Sequence, residues 1–405
     1  MDQHHAPASL AGPAPSGNAS GNFSGHAPST RRIGLRFTGS GSEYFRIWIV
    51  NLLLTLATFG IYYPYAKVRR LRYFHSNTLA GNHAFGFHAS PRAMLRGYLL
   101  VSLMFVLYGV AGRFSATAGL AAFLIVAAIW PALLKSSLQF RMANTSWRGL
   151  RFHFTGSTGQ AYRALLPLFV PAFFLLAPLV LVPDGEDGPP WYPLFTGLVT
   201  LATLSALPWL WWKLKKYQHD HYVFGPLRTR LRAGPGAFYA VFLKTGGVVL
   251  LGFLAVGAVV ALAVAGGGLG VLRGRDPGRM GAALVAFPLA FLAVLLAMQA
   301  VLGAYLTSRV QNLLWSHTGG AGLQFDSALQ FRPLFALTLK NWLLLLLTLG
   351  LYWPFAAVAK ARMRLEAVSL RLDADPQALA DAAVPSEGEA AGEAAGDLFG
   401  VDIGL

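Results

Sequence analysis

The most informative absences in this 405-residue sequence are those of cysteine and of charge. There is no cysteine, which excludes disulfide bonds, thiol catalysis and cysteine-ligated zinc. Charged residues make up 12% of the chain, against roughly 25% in an ordinary soluble domain, whereas hydrophobic residues make up 55%. A soluble protein of this length needs a more polar surface, so the composition predicts a membrane protein.

Eight apolar segments lie between two polar tails, and several reach the roughly 20 residues that a helix needs to cross a bilayer. In chain order they lie at residues 44–63, 97–112, 116–134, 164–182, 191–212, 238–265, 281–306 and 333–355. The predicted fold is therefore an all-α polytopic integral membrane protein. Its membrane domain is predicted to cover residues 31–370.

The two ends of the chain have compositions that do not support a packed core. Residues 1–30 are mainly Ala, Pro, Ser, Gly, Asn and His, and residues 371–405 are rich in Ala, Gly, Asp and Glu. Such segments bury too little apolar surface to offset the entropy lost on ordering. We therefore predict a disordered N-terminal tail and a disordered acidic C-terminal tail.

One motif occurs twice, because residues 51–70 match residues 341–360 without a gap. Glycine permits unusual backbone dihedral angles and proline ends a helix, so we interpret the motif as a turn that follows an apolar helix. Its asparagines are suited to hydrogen bonds that hold helices together. The candidate structural or functional residues are the matched pairs Asn51 and Asn341, Thr58 and Thr348, Gly60 and Gly350, Tyr62 and Tyr352, and Pro64 and Pro354.

Basic residues predict the orientation of the chain. The loops after the first, third, fifth and seventh apolar segments are basic, and those between them are short or acidic, apart from one with Arg273, Arg275 and Arg279. By the positive-inside rule the basic loops face the cytoplasm, where they can bind anionic lipid. The net charge of +16 is explained in this way, and we expect no nucleic-acid binding.

The first and last apolar segments leave two topologies open, because the sequence is basic on both sides of each. In one, all eight segments cross the membrane. In the other, six segments cross, and the first and last are re-entrant hairpins that enter and leave on the cytoplasmic face. Re-entrant backbone cannot face lipid, so these hairpins would have to pack against the crossing helices.

Short stretches in the basic loops alternate apolar and polar side chains, which is the pattern of a β-strand. They lie at residues 35–37, 85–87, 152–154 and 323–325, with a degenerate copy at 222–224. A single strand has no partner of its own, so we predict that they form one small sheet, a cytoplasmic cap on the helices. The alternative is a set of independent amphipathic loops at the lipid interface.

Convincing catalytic or metal-binding constellations are missing. No carboxylate lies within an apolar segment, which argues against a proton relay. The run His219, Asp220 and His221 raises metal binding, but nearby carboxylates are scarce, and we predict no metal, no cofactor and no enzyme activity.

Two functional hypotheses from different classes remain. The protein is either a channel or carrier for a small solute, or a non-transporting scaffold whose basic cytoplasmic cap binds a partner protein or anionic lipid. The lipid bilayer is its expected surrounding. A homo-oligomer or a protein partner stays open.

A further signature combines the first copy of the motif, from Asn51 to Pro64, with a following run that contains Asn77, Thr78 and Phe87. This signature resembles that of the YjgN family of bacterial inner-membrane proteins over most of residues 33–370. The chain departs from the pattern at Phe59 and Tyr65, where we expect Leu and Trp, and Ala357 replaces a basic residue in the second copy. The resemblance implies a multi-pass protein of the bacterial inner membrane of unknown function, and it brings no catalytic residues.

Overall fold

The computed structural model of the protein describes residues 31–181, 189–263 and 277–373. The two predicted tails lie almost wholly outside these ranges. So do most of the acidic loop at 183–190 and the loop that contains Arg273 and Arg275. The described residues form α-helices, a 3-10 helix and short β-strands that alternate along the chain.

Ten α-helices are described, and they form five consecutive hairpins. They are α1 Gly41–Ala57, α2 Tyr63–Ser76, α3 Pro91–Phe114, α4 Ala116–Ala143, α5 Thr158–Leu176, α6 Tyr192–His219, α7 Pro235–Ala263, α8 Pro277–Ser316, α9 Phe331–Leu347 and α10 Trp353–Glu366. A 3-10 helix, Ala177–Leu181, continues α5.

Eleven short strands in the described ranges connect the hairpins. They are β1 Arg31–Phe37, β2 Thr78–Ala80, β3 His83–Phe87, β4 Thr145–Trp147, β5 Leu150–Phe154, β6 Tyr222–Phe224, β7 Leu227–Arg228, β8 Arg230–Leu231, β9 Thr318–Gly320, β10 Leu323–Ser327 and β11 Val368–Leu372. The predicted strands are confirmed, and the sheet is larger than the small cap that the sequence predicted.

All described strands pair antiparallel in one sheet, in the order β7-β6-β5-β4-β3-β2-β1-β11-β10-β9-β8. Its two end strands, β7 and β8, are separated in the chain by Thr229 alone. The first half of β1 pairs with β11, with Arg31 opposite Leu372, and its second half pairs with β2, with Phe37 opposite Thr78. The sheet therefore curls back on itself and joins the two ends of the described chain.

A single apolar cluster fills the inside of the curled sheet. Its members come from β1 to β7, β10 and β11, and include Ile33, Trp147, Phe224 and Leu370. Arginines occupy exposed positions between them, as Arg36 does on β1. Strands of two to seven residues have little stability alone, so this shared core and the pairing between neighbours hold the sheet together.

Each hairpin leaves the sheet at a similar junction. The side chains of Ser40, Ser90 and Ser157 cap α1, α3 and α5 by accepting a hydrogen bond from the backbone N–H three residues later. In α7 and α9 the equivalent position is the residue immediately before the helix. Four residues after this position, all five helices have a side chain that is almost fully buried: Tyr44 in α1, Met94 in α3, Ala161 in α5, Phe238 in α7 and Leu334 in α9. The sequence thus repeats one helix–sheet junction five times.

The ten helices form a closed ring, in which each packs against the helices before and after it in the chain and α10 packs against α1. The helices that return to the sheet, α2, α4, α6, α8 and α10, also share apolar clusters with one another next to it. For example, Val68 of α2 and Phe140 of α4 lie in one cluster. We call the helix ends that meet the sheet the sheet-side ends.

Five helices of the described chain are long and apolar enough to cross a membrane: α3, α4, α5 with its extension, α6 and α7. They expose large apolar side chains such as Leu103, Phe105, Leu198 and Leu201, whereas a soluble protein rarely exposes large apolar patches. By contrast, α1 and α9 have 17 residues each, about 25 Å of helix, which is short of the roughly 30 Å hydrocarbon core.

The first and last predicted segments each cover one helix and the turn of a helix hairpin that starts and ends at the sheet. In the first hairpin, α1 leaves the sheet after β1 and α2 returns to it at β2. In the last, α9 leaves the sheet after β10 and α10 returns to it at β11. Strand β11 continues to Leu372, two residues beyond the predicted end of the membrane domain at residue 370.

We predict that the N and C termini lie on the same side of the membrane, because β1 and β11 pair with each other. Fusions of alkaline phosphatase and of green fluorescent protein to each terminus should report the same side. A reporter inserted between α5 and α6 should report the other side and serves as the control. Termini on opposite sides would contradict the paired strands.

Candidate functional site: the basic end of the helix ring

The repeated motif forms the tight turns at the far ends of the two short hairpins. Thr58 Oγ1 donates to Leu54 O at 2.8 Å and accepts from the backbone N–H of Tyr62 at 3.0 Å. Thr348 makes the same two bonds with Leu344 and Tyr352, at 2.6 and 3.0 Å. The threonines therefore close the turns by satisfying backbone groups that a helix end leaves free.

The unusual backbone dihedral angles that the sequence predicted at the glycines are confirmed. Gly60 and Gly350 have φ angles of 91° and 90°, which glycine adopts readily. Phe59 and Leu349, just before them, also have positive φ and are 97% and 93% exposed. Both hairpins thus hold a large apolar side chain outward at the tip, a feature that is suited to insertion into lipid.

The prolines were predicted to end a helix, and this is wrong. Pro64 and Pro354 lie in the first turn of α2 and of α10, where proline is tolerated because that N–H has no partner within the helix. Tyr62 stacks on Tyr65, with ring centroids 5.5 Å apart, and Tyr352 stacks on Phe355 at 5.4 Å. These residues shape the start of the returning helix.

The matched asparagines differ in their partners. Both are buried, and Asn51 Oδ1 accepts from Arg69 Nη1 of α2 at 3.3 Å. Asn341 Oδ1 has no hydrogen-bond partner among the described residues, because Ala359 occupies the position that matches Arg69. The repeat is therefore symmetric in backbone and asymmetric in its polar contacts.

The run His219, Asp220 and His221 is used to hold the sheet. His219 Nδ1 lies 2.9 Å from Thr318 Oγ1 of β9, and Asp220 Oδ1 accepts from the backbone N–H of Leu231 at 2.7 Å. His221 Nδ1 lies 2.8 Å from the carbonyl oxygen of Tyr217. In the part of the chain that the structure describes, no group of three or more metal-ligating side chains is suited to a metal ion.

Polar side chains share one level of the returning helices, just beyond the sheet. Each returning helix is followed by a strand, and the fourth and seventh residues before the first residue of that strand lie on the same face of the helix. At these positions are Arg141, Lys215, Gln218, Gln311 and Arg364, which we call the inner polar layer. The other residues at the same positions are apolar: Phe74, Leu71, Leu138, Leu314 and Ala361.

Hydrogen bonds join two pairs of side chains in this layer. Arg364 Nε of α10 donates to Gln311 Oε1 of α8 at 2.8 Å, and Gln311 Nε2 donates back to the Arg364 carbonyl oxygen at 2.8 Å. Lys215 Nζ donates to Gln218 Oε1 at 2.9 Å. Gln218 and Gln311 are 4% and 5% exposed, so these amides are buried beside positive charge.

The layer is electrostatically positive, and its effects reach neighbouring groups. Burial lowers the pKa of His75, its bond to the Leu71 carbonyl oxygen opposes this, and the charge of Arg141 lowers the pKa further. Burial raises the pKa of Tyr222 to about 12, against the same Arg141 charge. Burial also lowers the pKa of Lys360, and the charge of Arg364 adds to that effect. Such a cluster of cations is suited to an anion.

Sequence reasoning missed this layer. Gln218 and Gln311 lie at the polar ends of apolar segments, where a lone glutamine usually indicates solvent exposure. The available signal was the spacing of Gln311 and Arg364 from their strands, which becomes visible only when the five helix–strand junctions are aligned.

We expect Asn51→Leu to destabilise the protein more than Asn341→Leu, by about 1 kcal/mol. The first change removes a buried acceptor that Arg69 uses, whereas the second removes a buried oxygen that has no partner among the described residues. Unfolding of the purified variants in detergent, followed by tryptophan fluorescence, measures the difference. Equal losses would contradict the asymmetry, and Asn51→Asp, which keeps an acceptor, is the control.

We also predict that His75 makes stability pH-dependent. Its folded pKa lies below the ordinary value of 6.5, so the unfolded chain takes up the proton first as pH falls. This contribution is complete above about pH 6.5 and is lost as pH falls below it. His75→Gln should therefore reduce the loss of stability between about pH 7.5 and 5.5. An equal loss of stability in His75→Gln and in the unmodified protein would contradict this assignment.

Comparison with known proteins places this architecture in a family. The model of a family described as "Bacterial protein of unknown function (DUF898)" matches residues 32–398. No solved structure matches the chain.

Curated relatives with similar sequences carry one name. Inner membrane protein YjgN of Salmonella typhimurium is 32% identical over 183 residues, which are 43% of this chain and 45% of that protein. Inner membrane protein YjgN of Escherichia coli strain K12 is 31% identical over 127 residues, 30% of this chain and 31% of that protein. The matches thus span less than half of these relatives. The resemblance to the YjgN family is confirmed, as is the multi-pass location in the inner membrane. The chain therefore belongs to the DUF898 family of bacterial proteins of unknown function.

Proposed function

We propose that this protein is a non-enzymatic membrane scaffold whose sheet-side end lies in the cytoplasm and binds anionic lipid. Six helices, α3 to α8, cross the bilayer, and the hairpins α1–α2 and α9–α10 are re-entrant. With 40 residues, α8 is long enough to be the sixth crossing helix. The short hairpins pack against each other and against α3 and α8, as re-entrant segments require.

The observation that carries the proposal is the position of the cations. Every described α-helix carries Lys or Arg within about three turns of its sheet-side end, at the level where lipid headgroups would lie. They include Arg46, Arg69, Arg72, Arg92, Arg96, Lys135, Arg163, Lys213, Lys216, Lys244, Arg309, Arg332, Lys340 and Arg362. Few carboxylates of the described chain share this level, among them Glu43, Asp220 and Glu366.

The apolar core of the sheet favours a scaffold over an open channel. All ten described helices meet the sheet, and its interior is occupied by one apolar cluster. A conducting path through this end would have to pass a hydrophobic constriction, which blocks ions by dewetting.

A second candidate function, a carrier for a small anion, is favoured by the inner polar layer. The half-buried side chains of Arg141 and Lys215, beside the buried amides of the layer, form the kind of site that an anionic solute could occupy. Uptake of a labelled small anion by proteoliposomes, abolished by Gln311→Leu and Arg141→Gln together, would favour this candidate and contradict the scaffold.

We expect the protein to select anionic lipid from a mixed bilayer. In proteoliposomes with spin-labelled lipids, the protein should immobilise more phosphatidylglycerol than phosphatidylcholine, and added salt should reduce the difference because exposed charges are screened. The pair Arg92→Gln and Arg96→Gln should weaken the preference about thirtyfold, from about 1 kcal/mol per cation.

Arg113 provides the matched control, because it lies at the opposite end of the same helix, α3. Arg113→Gln should leave the lipid preference unchanged. Equal immobilisation of the two lipids by the unmodified protein would contradict the proposal.

A further inference from the structure

A groove between α7 and α8 combines two cations with an apolar wall. It has a cavity volume of about 230 Å³ and is lined by Ala240, Val241, Lys244, Tyr305 and Arg309. We call it the α7–α8 groove. Among the residues that the structure describes, its polar lining consists of a lysine, an arginine and a tyrosine and contains no carboxylate.

The two cations of the groove are not neutralised by carboxylates of the described residues, and Arg309 is positioned by an aromatic contact. The Arg309 guanidinium lies 5.2 Å from the centre of the Tyr305 ring, and Tyr305 packs edge-on against Phe331 at 5.9 Å. Lys244 and Arg309 are exposed, and neither has a carboxylate partner among the described residues. Two cations that line one cavity without a carboxylate partner are suited to a phosphate group.

The groove lies at the depth where a lipid phosphate would lie. From Lys244 to the end of α7 at Ala263 there are 19 residues, or about 28 Å of helix, which matches the roughly 30 Å hydrocarbon core. Tyr305 and Arg309 lie beside Lys244 on the antiparallel helix α8. A tyrosine with basic neighbours is typical of the membrane interface.

Beyond the groove, toward the membrane centre, α7 presents an apolar surface. Leu250, Leu251, Phe253 and Leu254 are each at least 60% exposed. Acyl chains of a lipid whose phosphate occupies the groove could lie along these side chains. A free inorganic anion would make no use of this surface.

We propose that the α7–α8 groove is a specific site for a glycerophospholipid, with its phosphate between Lys244 Nζ and the Arg309 guanidinium and its acyl chains along α7. This inference rests on the proposed lipid-binding function and assigns it one defined site. The phosphate chemistry would also accept a free phosphate ion, and the apolar surface selects the lipid.

The chain offers a matched control in the next hairpin. Gly234 and Gln330 immediately precede α7 and α9, and Lys244 and Lys340 each lie ten residues after them. In the second hairpin, however, Ala359 occupies the position that Arg309 has in the first, so the second cation is missing. Lys340→Gln therefore removes an equivalent charge without touching the groove.

The test measures binding of a short-chain phosphatidylglycerol to the purified protein in neutral detergent, by native mass spectrometry and by its effect on thermal unfolding. The double variant Lys244→Gln/Arg309→Gln should lose affinity about thirtyfold, the combined effect of two interfacial cations. Lys340→Gln removes one interfacial cation outside the groove and should lose affinity at most about fivefold, the effect of a single cation. Lys244→Arg/Arg309→Lys keeps both charges and should retain binding, which separates loss of charge from loss of fold.

Inorganic phosphate and glycerol phosphate form the second arm of the experiment. Both should stabilise the protein much less than the lipid does, because they lack acyl chains, and stabilisation by inorganic phosphate as large as that by the lipid would overturn the lipid assignment. If the double variant binds the lipid as the unmodified protein does, while the protein still prefers anionic lipid in a mixed bilayer, the groove is not the binding site and the proposed function is unaffected. If the unmodified protein shows no preference for anionic lipid in a mixed bilayer, the proposed function itself is overturned.

Discussion

The constraint on which the rest of the structure depends is that its short strands are stable only when they are paired with neighbours. Strands of two to seven residues gain little from any single partner, and free strand edges next to a membrane invite wrong pairing. The chain meets this constraint by giving most strands two neighbours and by bringing the end strands β7 and β8 together around Thr229. Because each helix hairpin starts and ends at this sheet, the curled sheet also imposes the ring of helices.

The sequence contains most of the local structure. Alternation around Phe37, Phe87 and Phe154 predicts strands, and the glycines of the repeated motif predict the tight turns, because both signals depend on the residues themselves. The error at Pro64 and Pro354 has a simple cause. A proline after a helix and a proline that starts the next helix give the same sequence pattern when the turn between them is short.

What the sequence could not show are relations between distant segments. The pairing of β1 with β11 joins residues that are far apart in the chain, and the strands β7 and β8 are too short to show alternation. The different partners of Asn51 and Asn341 depend on whether Arg69 or Ala359 faces them across the hairpin. The inner polar layer likewise appears only after five helices are placed side by side.

The pairing of β1 with β11 has a consequence for how the protein is made. Arg31 leaves the ribosome 341 residues before its partner Leu372, an interval of tens of seconds at about 5–20 residues per second. During that interval the first strand can pair with β2 but has no final neighbour on its other side. The nascent chain must therefore insert its hairpins before the sheet closes, and a chain truncated before β11 would keep an open strand edge at the membrane surface.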